Sequence, residues 1–285
     1  MDHWYHGLQT RRTRFNHPIE QNPGQRSKPI ESLLLEDLSL LIDLHKDGER
    51  QGPGGDDETR LAIALSGLGA RSQLQVADIG CGTGASTLVL AKALDARITA
   101  VDVLPEFLQR LDAAARREKF GARIKTQVAS MEALPFAAQS LDAVWSEGAV
   151  YNMGFASGIR AWRRFLKPGG ILAVSELTWL TQQRPQALEA HWKAQYPEVG
   201  TAAEKMALLE RSGFSPVGYF VLPPRCWLEN YYRPLQARFA DFLSRNQNLP
   251  AAAAIVAAEE QEIALFERYR EYFGYGYYVA KRAGD

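Results

Sequence analysis

The chain has 285 residues, of which 46% are apolar and 23% are charged, a composition typical of a globular protein with its own hydrophobic core. Lys and Arg together number 33, as do Asp and Glu, and this balance gives no support for a general polyanion-binding protein. Because only two cysteines occur, Cys81 and Cys226, the composition excludes a disulfide scaffold and disfavours a Cys-rich zinc site.

The chain lacks the sequence features of membrane insertion and secretion. Its longest purely apolar run, 251–258, is far shorter than a membrane span, and no charged segment followed by an apolar one opens the chain. We therefore expect a cytoplasmic protein that contacts no membrane. Residues 1–29 are polar and rich in Arg and His, which predicts a flexible arm. A segment that folds over a ligand is the alternative, and a transit peptide is disfavoured by Asp2 and Glu20.

Residues 30–70 predict two helices that precede the main domain. Leucines at helical spacing indicate the first helix over 30–45. A glycine-rich break at 51–55 comes next, and Asp56 or Asp57 then caps the second helix. We expect the buried face of this second helix to contain Leu61, Leu65 and Leu68.

From residue 71 onward, short apolar strands alternate with amphipathic helices. This alternation predicts parallel strands joined by crossover helices, which is a doubly wound, Rossmann-like α/β sheet. The expected strands are 74–79, 96–101, 123–128, 141–145 and 171–175, and the expected helices are 85–94, 105–118 and 155–166.

The last part of the chain adds further elements to this sheet. A capping box at Thr201 and Glu204 opens a helix, and 214–222 and 275–280 indicate two more strands of a mixed seven-stranded sheet. The segment between these strands, 223–274, is too long for a plain loop and predicts a helical cap. The expected organisation is therefore an arm (1–29), N-terminal helices (30–70) and one binding domain (71–285) that carries the cap insertion.

A glycine-rich turn follows the first predicted strand of the binding domain. Gly80, Gly82 and Gly84 let a ligand approach bare backbone, and the helix that follows favours a negative group such as a carboxylate. The acidic residue Asp78 precedes the turn, and Asp102 ends the next strand, where a carboxylate can accept both hydroxyls of a ribose. The GxGxG spacing differs from the GxGxxG pattern of dinucleotide sites.

With these features, the stretch 75–177 resembles the class I S-adenosylmethionine-dependent methyltransferases, in the large group that includes the ubiquinone and menaquinone methyltransferases. The resemblance rests on the segments DIGCGTG, AVDVLPEFL, ASMEALPF, SLDAVWSEGAVYNMG and FLKPGGILAVSE, in this order. It implies an enzyme that uses S-adenosyl-L-methionine and releases S-adenosyl-L-homocysteine. It also implies a cofactor site formed by Asp78, Gly80, Cys81, Gly82, Gly84, Asp102, Val103, Ser130, Met131, Glu132 and Glu147.

Ser130 stands where the family often carries Asp, so a contact to the adenine amino group lacks a charge there. Cys81 occupies a packing slot of the motif and has no base beside it in the sequence, which favours a packed residue over a nucleophile.

The acceptor site is expected after the fourth and fifth strands and in the cap. Methyl transfer from a sulfonium is an in-line displacement, so the protein mainly aligns the acceptor and excludes water, and a base is needed only if the acceptor loses a proton. The candidate catalytic residues are Glu147 and His191. The candidate substrate residues are Tyr151, Asn152, Glu176, Trp179, Trp227 and Tyr231. The density of Tyr and Trp favours an amine or a flat, partly apolar metabolite, and core packing is the alternative for any single one.

Three functions stay open at this point. The first is methyl transfer to a small molecule through N, O, S or C. The second is methyl transfer to a protein or RNA, with Arg11, Arg12 and Arg14 as contacts, and the third is a non-catalytic cofactor-binding scaffold. No Asn-Pro-Pro-Tyr or Asp-Pro-Pro-Tyr run follows the fourth strand, which argues against adenine- or glutamine-directed methylation of nucleic acid and protein amides. No His or Cys spacing indicates a metal site. A homodimer is left open.

Overall fold

A computed structural model describes residues 30–284, so the predicted arm 1–29 lies outside the described residues. The strands are β1 (Leu74–Ile79), β2 (Ala96–Asp102), β3 (Ile124–Val128), β4 (Leu141–Glu147), β5 (Leu166–Trp179), β6 (Gly200–Thr201), β7 (Phe214–Val221) and β8 (Phe273–Arg282). The helices are α1 (Ile30–His45), α2 (Asp56–Ser66), α3 (Ala85–Ala93), α4 (Pro105–Arg117), α5 (Phe155–Arg163), α6 (Gln186–Gln195), α7 (Ala202–Arg211), α8 (Arg225–Trp227), α9 (Arg233–Gln236), α10 (Phe239–Arg245) and α11 (Pro250–Tyr269). Across this part of the chain, no helix combines the length and the apolar character that a membrane crossing requires.

The strands form one sheet in the order β3-β2-β1-β4-β5-β8-β7, and the two-residue β6 pairs with β5 beside this path. Strands β1 to β5 run parallel to one another, whereas β8 runs antiparallel to both β5 and β7. The strand order reverses at β1, between β2 and β4. In open α/β sheets this switch point leaves a crevice at the carboxyl ends of the strands. The predicted doubly wound, mixed sheet is confirmed, with β6 as an addition.

Strand β5 is longer than predicted at both ends. The sequence predicted a strand over 171–175, but β5 begins at Leu166, opposite Leu141 of β4, and continues to Trp179. The extension at the carboxyl end follows from its antiparallel partner, because β8 pairs with β5 from Ile171, opposite Lys281, to Trp179, opposite Phe273. The longer strand decides which side chains after residue 175 face the crevice.

Helix α2 turns a polar face inward, contrary to the expectation for this helix. Leu61 and Leu65 are 45% and 38% exposed, and of the predicted apolar face only Leu68, just after the helix, is buried. The buried residues of α2 are Glu58, Thr59, Ala62 and Ile63. Glu58 forms an ion pair with Arg225, and Thr59 donates a hydrogen bond to Glu147, so distant partners satisfy both polar side chains. Gly55 occupies the N-cap, and the two aspartates lie in the first turn.

The segment between β7 and β8 is helical, and its aromatic side chains join the core on one side of the sheet. Trp227 stacks on Phe266 with ring centroids 4.4 Å apart, and its edge meets Tyr275 of β8 at 4.7 Å. A π-helical turn, Leu228–Tyr232, follows α8 and turns Tyr231 and Tyr232 into the same core. The cap thus forms a wall against the carboxyl ends of the strands.

Candidate active site

A cavity of about 550 Å³ lies at the carboxyl ends of β1, β2 and β4 and continues under the cap. Most of the site residues predicted from the sequence line this cavity, although they come from separate parts of the chain. The predicted site residues that line it are Gly80, Gly82, Asp102, Val103, Ser130, Met131, Glu132, Tyr151, Asn152, Trp227 and Tyr231. One continuous space therefore connects the glycine-rich turn with the aromatic residues of the cap.

The glycine-rich turn is held by close packing that excludes any side chain. Gly80 has φ +70°, and a Cβ atom there would lie 2.4 Å from the Cβ atom of Ala149. Gly84 has φ +91°, and its Cβ would lie 2.2 Å from Leu111 Cδ1 of α4. Gly80 therefore lets Ala149 pack against the turn at the cavity wall, whereas Gly84 serves the packing of α3 on α4 and does not line the cavity.

Asp102 lies at the end of β2 with both carboxylate oxygens engaged by backbone. Oδ2 accepts a hydrogen bond from the Gly82 amide (2.9 Å), and Oδ1 accepts one from the Leu104 amide (3.0 Å). Burial raises the pKa of Asp102, and these backbone donors oppose the rise. Since a carboxylate offers about four lone-pair positions, further acceptor positions remain for two hydroxyl groups of a ligand.

Asp78 lies beneath the glycine-rich turn and is fully buried. Its Oδ2 accepts hydrogen bonds from Ser86 (2.8 Å) and Thr87 (2.6 Å), but its Oδ1 has no partner among the described residues. Burial raises the pKa of Asp78 to about 7, although the two hydroxyl donors oppose the rise. A buried carboxylate oxygen without a donor is a suitable partner for a ligand ammonium group, directly or through a water molecule.

The structure does not bring Glu147 to the cavity wall. Its Oε1 accepts hydrogen bonds from Thr59 (2.7 Å), Trp145 (3.0 Å) and Tyr277 (3.0 Å). Its Oε2 is 3.5 Å from Arg50 Nη1. This set of donors fixes the carboxylate between α2, β4 and β8, so Glu147 holds the end of β4 and does not reach an acceptor as the sequence analysis expected.

Three other predicted residues also lie away from the cavity. Because side chains alternate along a strand, Leu177 lines the cavity and Glu176 points to the opposite face. There, fully buried, Glu176 forms an ion pair with Lys205 (3.2 Å). The guanidinium carbon Cζ of Arg184 lies 4.4 Å above the ring centroid of Trp179. The rings of His191 and Trp192, which are adjacent on α6, pack in a T-shaped arrangement, and His191 does not line the cavity.

Cys81 is part of the packed core under the turn. It is buried, does not line the cavity, and burial raises the pKa of its thiol, which disfavours a thiolate. Among residues 30–284, no group of three His, Cys, Asp or Glu side chains is placed to hold a metal ion.

A segment that sequence reasoning treated only as a break forms one wall of the site. We call residues 46–55 the strap. The Thr83 hydroxyl lies 3.0 Å from the Gly48 carbonyl, and the Gln51 amide donates to Thr83 Oγ1 (3.2 Å), so the strap is fixed over the glycine-rich turn. Gln51, Gly52 and Pro53 line the cavity. The Gly- and Pro-rich composition of this segment was the available sequence signal. It indicates that a helix is interrupted, but it does not show whether the segment lines a cavity.

Two further cavity residues come from the last third of the chain. Tyr196, just after α6, accepts a hydrogen bond from the Phe155 amide (3.3 Å). Glu262 of α11 accepts one from the Tyr232 hydroxyl (3.2 Å). Both were missed because nothing local in the sequence distinguishes them from other exposed helix-end or helix-surface residues.

Residues 77–174 match the protein family described as a methyltransferase domain. The chain is 34% identical over 135 residues to the malonyl-[acyl-carrier protein] O-methyltransferase of Dechloromonas aromatica, a match that covers 45% of this chain and 48% of the relative. It is 31% identical over 134 residues to the 27-O-demethylrifamycin SV methyltransferase of Amycolatopsis mediterranei, covering 46% and 48%. The chain thus spans about half the length of the curated relatives it matches.

Solved structures share the fold over most of the chain. A methyltransferase from Geobacter sulfurreducens, solved with S-adenosyl-L-homocysteine, has a TM-score of 0.74 at 18% identity and covers 85% of this chain and 97% of its own. The [4+2]-cyclase SpnF has a TM-score of 0.67 at 23% identity, covering 88% and 94%. Residues 77–174 are thus similar to the methyltransferase domain family, and most of the chain shares the fold of these solved structures.

Proposed function

We propose that the chain is an enzyme that transfers the methyl group of S-adenosylmethionine to a small-molecule acceptor. The observation that carries the proposal is the continuity of the cavity, which runs from the glycine-rich turn and Asp102 to the aromatic residues of the cap. Its volume of about 550 Å³ suits a bound small molecule. A cofactor at one end and an acceptor at the other would share this one space.

The residues at the first end of the cavity fit the cofactor. Asp102 has acceptor positions left for both ribose hydroxyls, and Asp78, which does not itself line the cavity, has a buried oxygen without a donor beneath the glycine-rich turn. Gly80 lines the cavity without a side chain, and Val103 and Met131 offer apolar contacts to the adenine. When bound, the cofactor supplies a methyl group already activated on a positively charged sulfur.

The remaining work of the protein is alignment and exclusion of water. The strap covers the glycine-rich turn from outside, and the cap closes the far end of the cavity. Tyr151 and Asn152, which follow β4, line the same cavity and are candidates to contact the acceptor. An aligned acceptor gains most from being held at reaction distance without competing water.

The test uses the purified chain, S-adenosylmethionine labelled in the methyl group and a small-metabolite extract, with products read by mass spectrometry. A labelled product of low molecular mass is the expected result. Label found only in protein or RNA would contradict the small-molecule proposal and favour a macromolecular acceptor. Cofactor binding with no labelled product of any size would favour a non-catalytic scaffold or, as the cyclase shows for this fold, another reaction.

Four further assignments stay predictions from the sequence. These are the ubiquinone and menaquinone subgroup, the cytoplasmic location, the homodimer and the division into arm, N-terminal helices and binding domain. Size-exclusion chromatography with light scattering would settle the oligomeric state, and the predicted arm 1–29 lies outside the described residues.

A further inference from the structure

The far end of the cavity has a chemical character of its own. We call it the acceptor half and define it by the lining residues that follow β4 or belong to the cap, α6 and β8. Its aromatic and acidic members are Tyr151, Trp192, Tyr196, Trp227, Tyr231, Tyr275 and Glu262. All but one of them lie beyond residue 174, so the family match over 77–174 says nothing about what this half binds.

The charges around the cavity are acidic. Asp102, Glu132 and Glu262 line it, and among the described residues that line it none is Lys or Arg. His45 also lines the cavity, but its Nε2 lies 3.6 Å from the buried carboxylate of Glu259. A phosphate or carboxylate group would therefore meet no positive partner in these walls, whereas a cation would meet an anionic one.

Two cations close to these walls, Lys205 and Arg238, are already engaged elsewhere, and Arg50, next to Gln51 in the chain, is paired with Asp56 and Glu147. Lys205, whose Nζ lies 5.5 Å from the Tyr196 ring centroid, forms its buried ion pair with Glu176 on the other face of the sheet. Arg238 interacts with Tyr231 electrostatically, but its Nε donates to the Leu44 carbonyl (3.2 Å) and it does not line the cavity.

The aromatic walls are fixed in place by their neighbours. Trp227 and Tyr231 are 4% and 6% exposed. Trp227 is stacked on Phe266, and Tyr231 packs on Tyr232 with ring centroids 5.2 Å apart. The Tyr232 hydroxyl in turn donates to Glu262, which fixes the carboxylate beside these rings. Rigid aromatic faces next to a carboxylate attract an ammonium group, which is a weakly directional cation, more than an uncharged group of the same shape.

We propose that the acceptor is an amine, bound with its cationic or charge-developing nitrogen against the aromatic residues and Glu262 of the acceptor half. This inference rests on the proposed function and adds the substrate class to it. The nitrogen lone pair forms the new N–CH₃ bond as the C–S bond breaks, the bonding electrons go to sulfur, and the positive charge passes from sulfur to nitrogen. An amine that binds in its protonated form first gives one proton to water, which frees this lone pair, whereas a neutral primary or secondary amine gives the proton to water after the transfer.

The experiment compares choline with 3,3-dimethyl-1-butanol, in which carbon replaces the charged nitrogen. Both are titrated into protein saturated with S-adenosyl-L-homocysteine, and binding is read from tryptophan fluorescence and by ligand-observed NMR. We expect choline to bind at least about 10-fold more tightly than its neutral analogue, in line with a desolvated cation–aromatic contact. Equal binding of the two probes, tighter binding of the neutral one or binding of neither would overturn the inference.

A pair of variants assigns the preference to the acceptor half. Glu262→Gln keeps an acceptor for Tyr232 but removes the charge, and should reduce the choline preference at least about 3-fold. Glu260→Gln removes the same charge from an exposed position of the same helix and should leave the preference unchanged. An unchanged preference in Glu262→Gln would overturn the assignment.

Calorimetry with S-adenosyl-L-homocysteine tests the proposed function separately from the amine inference. Failure of the unmutated chain to bind it would contradict the proposed function itself. Normal binding with no preference between the probes would contradict only the amine inference. Normal binding by Glu262→Gln also shows that this variant is folded, so a lost preference reports on the acceptor half.

Discussion

The buried carboxyl group of Asp78 makes the stability of the unliganded protein depend on pH in a direction opposite to that of most acidic residues. Its side chain is fully buried under the glycine-rich turn, and burial raises its pKa from 3.8 to about 7. Below about pH 4 the group is protonated in both the folded and the unfolded chain. As pH rises towards 7, the unfolded chain loses this proton while the folded chain keeps it, so the free energy of unfolding falls.

The size of the effect follows from the two pKa values. Their interval corresponds to about 4 kcal/mol at about 1.4 kcal/mol per pKa unit. Asp78→Asn removes the titration but keeps the shape and an oxygen that can accept from Ser86 and Thr87. We therefore expect the free energy of unfolding of Asp78→Asn, relative to the unmutated chain, to rise by up to about 4 kcal/mol between pH 4 and pH 8.

Urea unfolding at a series of pH values, followed by circular dichroism without cofactor, measures this difference, because the other titrating groups largely cancel between the two proteins. Asp142→Asn is the matched control. Lys167, the Gln75 amide and Arg71 hold the pKa of Asp142 below its ordinary value despite partial burial, so that variant should show no gain as pH rises. A relative stability of Asp78→Asn that stays constant from pH 4 to pH 8 would refute the burial argument.

Two further predictions concern packing and charge in the sheet. Gly84→Ala places a Cβ atom 2.2 Å from Leu111 Cδ1 at φ +91° and should lower the free energy of unfolding by at least about 2 kcal/mol in urea titrations. Gly69→Ala, which has open space, should change it by less than about 0.5 kcal/mol, and equal effects would contradict the steric argument. Lys205→Met leaves the carboxylate of Glu176 unpaired and should cost about 3–5 kcal/mol, much of it recovered when Glu176→Gln is added. A single variant as stable as the unmutated chain would show that the pair is dispensable.

The end of the cavity at the glycine-rich turn could be predicted from sequence because its determinants are local. A glycine-rich turn between a strand and a helix always lies at the carboxyl end of that strand, so Gly80 and Gly82 follow β1 there. Asp102 ends the adjacent parallel strand β2 and therefore lies at the same edge of the sheet. All three line the cavity. The same local pattern did not reveal that Gly84 packs against α4, because that contact depends on a residue 27 positions away.

The opposite end of the cavity, under the cap, could be predicted only in part because it depends on strand parity and on contacts between residues far apart in the chain. Glu176 and Trp179 were expected to face the substrate, but the pairing of β5 with β8 turns Glu176 to the other face, towards Lys205. Glu262 lies 30 residues from the tyrosine that fixes it, and Tyr232 itself sits in a π-helical turn that no simple periodicity indicates. These positions become visible only once the chain is folded.

The inward polar face of α2 has a similar origin. A helix with leucines at regular spacing predicts an apolar buried face, yet Glu58 and Thr59 face inward. Their partners, Arg225 and Glu147, are 167 and 88 residues away in the chain. Apolar periodicity assigns residues to the buried face by their hydrophobicity alone. It therefore cannot predict that Glu58 and Thr59 are buried because distant residues satisfy their polar groups.

Titration calorimetry of S-adenosyl-L-homocysteine tests the central claim most directly, because every later step requires this cavity to hold the cofactor. The unmutated chain should bind it, Asp102→Asn should bind at least about 10-fold more weakly, and the exposed Asp241→Asn should bind as the unmutated chain does. Equal thermal unfolding of the three proteins without ligand would confirm that they are comparable. No binding by the unmutated chain, or full affinity in Asp102→Asn, would contradict the account.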